Sequence, residues 1–266
     1  MKHPKISIVV PTYKEFDFLF ETISSCLNQD YPGEIEIIVI DDGSSRSPRF
    51  VIDKFKEKED RIKLIENETN LGVNKTLNKA LTILSGEFVI FIGQDDILSS
   101  SHARLMHYSA KKDNAALVWC NSTTIDHNGK RIKRPLNDNL QKIKNMFARF
   151  FITKSNFISS TGVMLDVSIL REIGGFPESF KNRGEWLLWI EIIFNHRISY
   201  NKEAMPFYRR HKKNLTNYLD DDSLPKEIQV YYSHCRDQAS FKKTMQSTTF
   251  QLFYSFFDIL WRIFRR

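Results

Sequence analysis

The sequence contains little glycine and little cysteine. Only 10 of its 266 residues are glycine, and its three cysteines, Cys26, Cys120 and Cys235, form no CxxC pair. An odd number of widely spaced cysteines argues against a disulfide framework and favours a reducing compartment. Because no internal repeat or low-complexity block is present, we expect one large globular domain, with or without a tail.

Long apolar runs are also absent. The amino terminus passes from MKHPK straight into the strand-like ISIVVPTY, without the apolar core of a secretory leader. No uncharged stretch reaches the roughly 20 residues that span a bilayer. We therefore expect a cytoplasmic protein, in which the three N-x-S/T triplets, at Asn67, Asn121 and Asn214, arise by chance.

Basic residues outnumber acidic ones, and the formal net charge is +7. The excess lies at 130–144, at 209–213 and in the final RIFRR, rather than along one sustained basic helix. Because no nucleic-acid-binding signature accompanies this charge, no nucleic-acid partner is predicted. An anionic membrane surface or a diphosphate fits it better.

The first hundred residues alternate between strand-like and helix-like patterns. The predicted strands lie at 5–13, 34–45, 61–67 and 87–93, and the predicted helices at 16–29, 47–59 and 74–86. Strands and helices in this order form βαβ units. The sequence therefore predicts an α/β fold with a Rossmann-like, mostly parallel central sheet flanked by helices.

The second half is less regular. It predicts a strand and a hairpin over 116–132, a helix over 139–152, and a strand, a short helix and a Gly-Gly turn over 158–180. A helix at 184–195 and an edge strand leading into a basic loop at 198–216 follow. We expect one domain over 1–217, divided into halves at 1–98 and 99–217, and a helical extension over 218–266.

Polar residues cluster where the predicted strands end, at 12–13, 41–42, 67–70 and 95–96. The carboxyl ends of parallel strands line the ligand crevice of such sheets. Adjacent carboxylates, as in QDD at 94–96, repel each other, and a divalent metal relieves that repulsion. The alternative is that QDD caps the following helix, as aspartate often does.

Seven motifs in this order resemble glycosyltransferase family 2, whose members have the GT-A fold and transfer sugars from nucleotide-sugars with inversion. The motifs are VVPTYKE (9–15), VIDDGSS (39–45), NLGVNKTLNKAL (70–81), FIGQDDIL (91–98), GGFPESF (174–180), EWLLW (185–189) and YRRHKKNLT (208–216). The resemblance covers roughly residues 4–217. Within it, GVNKT is not a P-loop, because the G-x-x-x-x-G-K spacing is missing.

The resemblance implies a donor nucleotide site at the ends of the first strands and in the basic loop. The implied donor-binding residues are Pro11, Thr12, Tyr13, Glu15, Asp41, Asp42, Asn70, Lys75, Asn78, Gln94, Asp95, Arg209 and His211. Two of these assignments have simpler alternatives. DDGSS is also a common strand-end turn, and Lys75 is equally well explained as a solvated helix lysine.

The resemblance also implies a divalent metal, Mn²⁺ or Mg²⁺, that bridges the donor diphosphate. The family's D-x-D-D motif reads GQDD here, so Gly93 stands in place of the first acid. The implied metal ligands are Asp95, Asp96 and His211.

The family's catalytic base is an aspartate at the start of a helix, and the matching residue here is Glu185. A glutamate can also take a proton from an acceptor hydroxyl, although the helix dipole alone would favour a glutamate in the first turn. The implied acceptor contacts are Trp186, Thr161 and Gly162, whereas Trp189 is expected in the core.

The implied function is inverting transfer of a hexosyl or N-acetylhexosaminyl group, most commonly from a UDP-sugar, to a glycan or lipid-linked oligosaccharide. Bacterial surface polysaccharides such as lipopolysaccharide or capsule are the expected products. The aromatic segment 250–266 predicts docking on the cytoplasmic face of the inner membrane, with packing onto the domain or dimerisation as alternatives.

Two rival functions remain at this point. A sugar nucleotidylyltransferase also uses a Rossmann-like sheet and a metal, but it requires a glycine-rich loop that PTYKEFDF lacks. A nucleotide-sugar-binding module that has lost catalysis would explain Gly93 and Glu185 at positions where the family has aspartate.

Overall fold

The computed structural model describes residues 3–56, 60–133, 138–152, 155–180, 184–212 and 214. The strands are β1 (Ile6–Thr12), β2 (Ile35–Asp41), β3 (Ile62–Glu66), β4 (Phe88–Phe91), β5 (Leu117–Cys120), β6 (Thr123–Ile125), β7 (Arg131–Lys133), β8 (Met164–Asp166), β9 (Ile198–Asn201) and β10 (Phe207–Arg209). The helices are α1 (Leu19–Leu27), α2 (Arg49–Lys56), α3 (Val73–Leu81), α4 (His102–Asp113), α5 (Asp138–Met146), α6 (Ala148–Phe151), α7 (Val167–Glu172) and α8 (Gly184–Asn195).

The main sheet has seven strands in the order β3-β2-β1-β4-β8-β5-β9. Neighbouring strands pair in parallel except β8, which runs antiparallel to both β4 and β5. The other strands therefore all end at the same side of the sheet, called the carboxyl edge below. In an open α/β sheet this edge is where ligands bind.

Helices cover both faces of this sheet. Nearly all residues of the strands β1 and β2 are buried and most of them are apolar, as expected for parallel strands that are covered on both sides. Leu19 of α1 and Met106 of α4 belong to the core on one face, and Leu77 of α3 and Trp189 of α8 belong to the core on the other. The molecule thus has three layers, with the sheet in the middle.

A small second sheet has the order β10-β6-β7. The strands β6 and β7 form the predicted hairpin, and Gly129 in its turn has a φ of +81°, which glycine adopts without strain. The strand β10 pairs in parallel with β6, and an isolated bridge joins Phe207 to Ile97, directly after GQDD. This pairing brings the basic loop after β10 to the end of β4.

The predicted α/β fold with a mostly parallel, helix-flanked sheet is confirmed. The single helix predicted over 139–152 is wrong, because Phe147, with φ −111° and ψ 35°, separates α5 from α6. The helix α1 starts at Leu19 rather than at residue 16, after a turn in which Lys14 has a φ of +61°.

The extension predicted at 218–266, with its membrane contact, lies outside the described residues. Within the part of the chain that the structure describes, no helix combines the length and apolar character needed to cross a bilayer. Cys26 and Cys120 are buried and unpaired.

Candidate active site

Hydrogen bonds around Asp41 join the loops that follow β1 and β2. Its carboxylate accepts from the Thr12 hydroxyl (3.3 Å), the Ser44 hydroxyl (2.6 Å) and the Ser44 backbone N–H (2.9 Å). The Ser44 hydroxyl also accepts from the backbone N–H of Lys14 at 2.8 Å. Since a left-handed backbone is unfavourable for lysine, this bond stabilises the turn. Thr12 and Asp41, both predicted at the donor site, therefore lie in contact.

Gln94 fixes the backbone of Tyr13. Its side-chain oxygen accepts from the Tyr13 N–H at 3.0 Å, and its side-chain N–H donates to the Tyr13 carbonyl at 3.3 Å. Pro11 and Glu15, at the same turn, are half-buried. The GQDD motif is thus linked directly to the loop after β1.

Asp42, for which a donor contact is predicted, bonds to the loop before α3. It is 5% exposed, and its carboxylate accepts from the side chains of Asn67 and Thr76 and from the backbone N–H groups of Leu71 and Gly72, at 2.7–3.1 Å. These bonds hold the loop before α3 and the first turn of that helix. The buried carboxylate of Asp42 thus has four hydrogen-bond donors within the protein, and the donor contact predicted for it stays a prediction.

The remaining donor residues predicted in 70–81 are Asn70, Lys75 and Asn78. Asn70 and Lys75 are exposed. The carboxamide of Asn78 donates to the Phe176 carbonyl (2.8 Å) and to Glu178 (3.0 Å), and it accepts from the Phe176 N–H (2.7 Å). Asn78 therefore supports the GGFPESF turn, and the donor contact predicted for it stays a prediction.

Asp95 pairs with the basic loop after β10. Its Oδ2 lies 2.7 Å from Nε2 of His211 and accepts from the side-chain N–H of Asn214 at 3.2 Å. The His211 ring packs against Phe18, with ring centroids 5.4 Å apart. Both members of the pair remain partly accessible, with 20% of the Asp95 side chain and 15% of the His211 side chain exposed.

Asp96 is buried, and its two oxygens face inward. They accept from the Thr161 hydroxyl and from the backbone N–H of Arg209, each at 2.9 Å. Burial, and to a smaller degree the charge of Asp95, raises the pKa of Asp96 to about 7. Asp96 thus anchors β10, and its predicted role as a metal ligand stays a prediction. Thr161 is buried against Asp96, and the acceptor contact predicted for Thr161 is likewise still a prediction.

The side chain of Arg209 is also buried and bonds to other parts of the protein. It is 1% exposed, and its guanidinium donates to the Asp95 carbonyl (2.9 Å), to Glu21 (2.5 Å) and to two carbonyls of the β6–β7 turn (3.3 Å). These bonds fix the guanidinium between the loop after β4 and the β6–β7 turn, and the donor contact predicted for Arg209 stays a prediction.

Gly162 directly follows Thr161, the residue that bonds to Asp96. It has a φ of +76°, and its carbonyl lies 2.7 Å from Nε2 of His102, a fully buried ring. Burial lowers the pKa of His102 to about 4, so the neutral ring donates from Nε2. A side chain at Gly162 would press on this ring. Gly162 is thus needed for backbone packing, and the acceptor contact predicted for it stays a prediction.

The amino terminus of α8 lies against the first turn of α3. Asn74 in that turn donates to two carbonyls of the GGFPESF segment, and a side chain at Gly184 would collide with the Asn74 carboxamide. Because Asp42 holds the loop just before α3, Glu185 starts its helix near the carboxyl edge. Glu185 is half-buried there.

Trp186 is a core residue. It is 5% exposed, and its indole N–H donates to the Ile152 carbonyl at 2.8 Å. The acceptor contact predicted for Trp186 has no support in this burial and stays a prediction. Trp189 is buried in the core, as predicted.

The described residues contain no group of three His, Cys, Asp or Glu side chains that could hold a metal. Asp95 and His211 together offer one carboxylate and one imidazole. Mg²⁺ commonly takes one or two carboxylates and completes its shell with substrate phosphates and water. These two ligands therefore fit a divalent cation that arrives bound to a diphosphate better than a cation that the protein holds by itself.

The model of the family named glycosyl transferase family 2 matches residues 7–174, which is more than half of the chain. The chain is a family 2 glycosyltransferase. The predicted family and enzyme class are confirmed, and the nucleotidylyltransferase alternative is set aside. The matched region contains the strand ends of the first half but stops before Glu185 and His211.

The glycosyltransferase is similar to two bacterial enzymes in particular. One is the UDP-Glc:alpha-D-GlcNAc-diphosphoundecaprenol beta-1,3-glucosyltransferase of Escherichia coli, 30% identical over 199 residues, which are 73% of this chain and 72% of that protein. The other is the GalNAc(5)-diNAcBac-PP-undecaprenol beta-1,3-glucosyltransferase of Campylobacter jejuni, 31% identical over 208 residues, which are 77% of this chain and 65% of that protein.

Solved structures confirm the GT-A fold. TarS of S. aureus in complex with UDP-GlcNAc superposes with a TM-score of 0.71 at 20% identity, covering 93% of this chain and 71% of that one. The mannosyltransferase PcManGT from Pyrobaculum calidifontis, in complex with GDP-Man and Mn²⁺, gives 0.62 at 19% identity, covering 81% and 59%.

Three residues that organise the site of this glycosyltransferase were not predicted, namely Ser44, Asn74 and Asn214. Ser44 and Asn74 lie inside recognised motifs, but nothing in their spacing distinguishes them from neighbouring polar residues. Asn214 lies in the YRRHKKNLT motif as well, and its N-x-T triplet carries no information about burial. In the structure it is 6% exposed and belongs to the protein interior.

Proposed function

We propose that this glycosyltransferase moves a sugar from a nucleotide-sugar, most favourably a UDP-sugar, to a hydroxyl of a lipid-linked glycan, with inversion at the anomeric carbon. The observation that carries the proposal is the contact between Asp95 and His211, 2.7 Å apart, at the edge where β1 and β2 also end. Support comes from the relatives, since the E. coli protein is named for UDP-Glc and both are named for undecaprenol-linked acceptors.

The nucleoside would bind at the loops after β1 and β2. The Tyr13 backbone is held by Gln94, and Asp41 is held by Thr12 and Ser44, so these loops are ordered before a ligand arrives. Ordering in advance lowers the entropy cost of binding. Pro11 and Glu15 stay candidates through their position in the same turn.

The diphosphate would lie beside Asp95 and His211, which would hold Mn²⁺ or Mg²⁺ in place of their present hydrogen bond. As a ligand, His211 would bind the cation through Nε2 of its neutral imidazole. The metal would supply positive charge to the departing nucleoside diphosphate. The exposed Arg210 and Lys212 add to the positive potential of this loop.

Glu185 is the proposed base. It takes the proton from the acceptor hydroxyl while the oxygen of that hydroxyl bonds to the anomeric carbon. The bond from that carbon to the diphosphate oxygen breaks on the opposite face, and its electron pair leaves with the nucleoside diphosphate. Exchange of Glu185 for Gln should lower kcat about 10²–10⁴-fold and leave nucleotide affinity unchanged. Retained turnover would remove Glu185 from this role.

The proposal also covers the two halves of the domain, the membrane contact and the product. Residues 1–98 would form the donor half and 99–217 the acceptor half, with 218–266 docking on the cytoplasmic face of the inner membrane. The product would be a bacterial surface polysaccharide. Liposome flotation of the full chain and of a chain ending at 244 tests the docking, and equal flotation would contradict it.

The donor is tested by thermal-shift titration of UDP, GDP, dTDP and CDP, with and without Mn²⁺. A nucleotide that binds the folded state raises the melting temperature in proportion to the logarithm of its concentration. We expect UDP to give the largest shift, and Mn²⁺ to enlarge it. Binding of UDP-sugar without any transfer to an undecaprenol-diphosphate-linked sugar would favour the non-catalytic module instead.

A further inference from the structure

The loop after β10 is fixed at two points. Arg209, 1% exposed, is the first, and Asn214, 6% exposed, is the second. His211 lies between them and reaches Asp95. The loop therefore positions an accessible imidazole between two buried anchors.

Asn214 uses both ends of its carboxamide. Its Oδ1 accepts from the backbone N–H of His211 at 2.5 Å. Its Nδ2 donates to Oδ2 of Asp95 at 3.2 Å and to the Arg209 carbonyl at 2.9 Å. A single side chain thus connects the backbone of the imidazole to the carboxylate that it faces.

These bonds leave the two oxygens of Asp95 unequal. Oδ2 takes both His211 and Asn214, whereas Oδ1 has no hydrogen-bond partner among the described residues. Oδ1 faces Gly93, where an added Cβ would lie 3.4 Å away. The absence of a side chain at Gly93 therefore keeps space next to the oxygen that is still able to bind a ligand.

We infer that Asn214 is a positioning residue for the donor site, which orients Asp95 and His211 toward the cation and the diphosphate. This inference rests on the proposed function. The physical reason is that partners of metal ligands fix the orientation of those ligands, and their loss typically weakens metal affinity about 10–100-fold. Asn214 acts through Asp95 and His211 rather than by touching the sugar.

The test is isothermal calorimetry of UDP, with and without Mn²⁺, on the full chain carrying N214A or N214D. We expect N214A to weaken binding of UDP with Mn²⁺ about 10-fold or more, with little change for UDP alone. N214D keeps the oxygen that accepts from His211 but removes the N–H that donates to Asp95. If Asn214 orients Asp95, N214D should weaken Mn²⁺-dependent binding as N214A does.

A matched control is N201A. Asn201 is 8% exposed, accepts from the Glu203 and Ala204 N–H groups and donates to Leu105 and Ser109, none of which belongs to the GQDD motif or to the loop after β10. The N201A variant should have a lower melting temperature, because the hydrogen bonds of a buried asparagine are lost. It should still bind UDP with Mn²⁺ with wild-type affinity.

The outcomes separate the two proposals. Wild-type affinity in N214D, with loss in N214A, would mean that Asn214 only closes the turn, and would overturn the inference. Affinity above wild type in N214D would mean that a ligand is missing at 214, and would also overturn it. Unchanged binding in both variants overturns this inference alone. A wild-type chain that binds no nucleotide overturns the proposed function as well.

Discussion

The loops after β2 and β4 each carry two adjacent aspartates, at 41–42 and 95–96. In both loops the second aspartate is buried and accepts from backbone N–H groups of a distant segment, at Gly72 in one case and at Arg209 in the other. Each pair therefore uses one carboxylate to tie a remote part of the chain to the carboxyl edge.

The difference between the loops lies in the first aspartate. Both oxygens of Asp41 accept hydrogen bonds from Thr12 or Ser44. Asp95 accepts at one oxygen, and its second oxygen has no hydrogen-bond partner within the part of the chain that the structure describes. The loop after β4 therefore retains the capacity to bind a cation, whereas the loop after β2 offers a carboxylate that is already held in place.

The largest effect should follow from exchange of Asp95 for Asn, which keeps the shape and removes the charge. We expect kcat/KM to fall about 10³-fold, because preorganised charge at a developing anion is worth this much in other enzymes. The melting temperature should stay near that of the wild type, since Asp95 is partly exposed. Steady-state transfer assays measure the first quantity and thermal unfolding the second.

Asp30 supplies the control for that experiment. It forms a surface pair with Arg104, 3.0 Å apart, and 44% of its side chain is exposed. Asp30→Asn should leave transfer unchanged. Near wild-type transfer by the Asp95 variant would contradict the contrast between the two loops.

The next effect concerns Asp42. Its exchange for Ala would leave two backbone N–H groups and two side chains without their acceptor in a buried place. We expect the free energy of unfolding to fall by about 3 kcal/mol, measured by urea denaturation. Exchange of the exposed Asp17 for Ala should cost little. Wild-type stability with lost UDP affinity would support the donor role predicted from the sequence.

Another buried carboxylate, that of Glu36, lies far from the site and extends the comparison. Glu36 at the opposite edge is 3% exposed and accepts from Ser7 (2.6 Å), the Ser85 N–H (2.7 Å) and Lys63 (3.0 Å). Burial alone would raise the pKa of Glu36, but these hydrogen bonds together outweigh burial and lower it from 4.5 to about 2.

The sign of the pH effect follows from this lowered pKa. The unfolded chain binds a proton at higher pH than the folded one, so the stabilisation by Glu36 is complete above pH 4.5 and is lost toward pH 2. We expect a loss of about 2 kcal/mol over that range, measured by urea unfolding at several pH values. Exchange of Glu36 for Gln should flatten this dependence. An equal slope in the variant would assign the loss to other carboxylates.

The different contacts of the two residues in each aspartate pair explain how much of the site could be predicted from the sequence. Strand periodicity predicted the first-half elements, and the strand ends predicted where Asp41 and Asp95 would lie. Periodicity also puts neighbouring strand residues on opposite faces, but it does not reveal which face meets a distant segment. The partners of Asp42 and Asp96 lie at Leu71, Gly72 and Arg209, and those contacts arise only when the chain has folded.

The smallest effect concerns a third adjacent pair, Glu185 and Trp186, in which the second residue is again buried. Exchange of Trp186 for Phe removes the hydrogen bond to the Ile152 carbonyl and should lower the free energy of unfolding by about 1 kcal/mol, while the KM for the acceptor stays unchanged. Trp189→Phe is the matched control, because the buried indole N–H of Trp189 has no partner among the described residues. The difference between the two variants isolates the hydrogen bond. A raised acceptor KM in the Trp186 variant alone would mean that this ring contacts the sugar. Glu185 and Trp186 would then not have separate roles, as the two residues of each aspartate pair have.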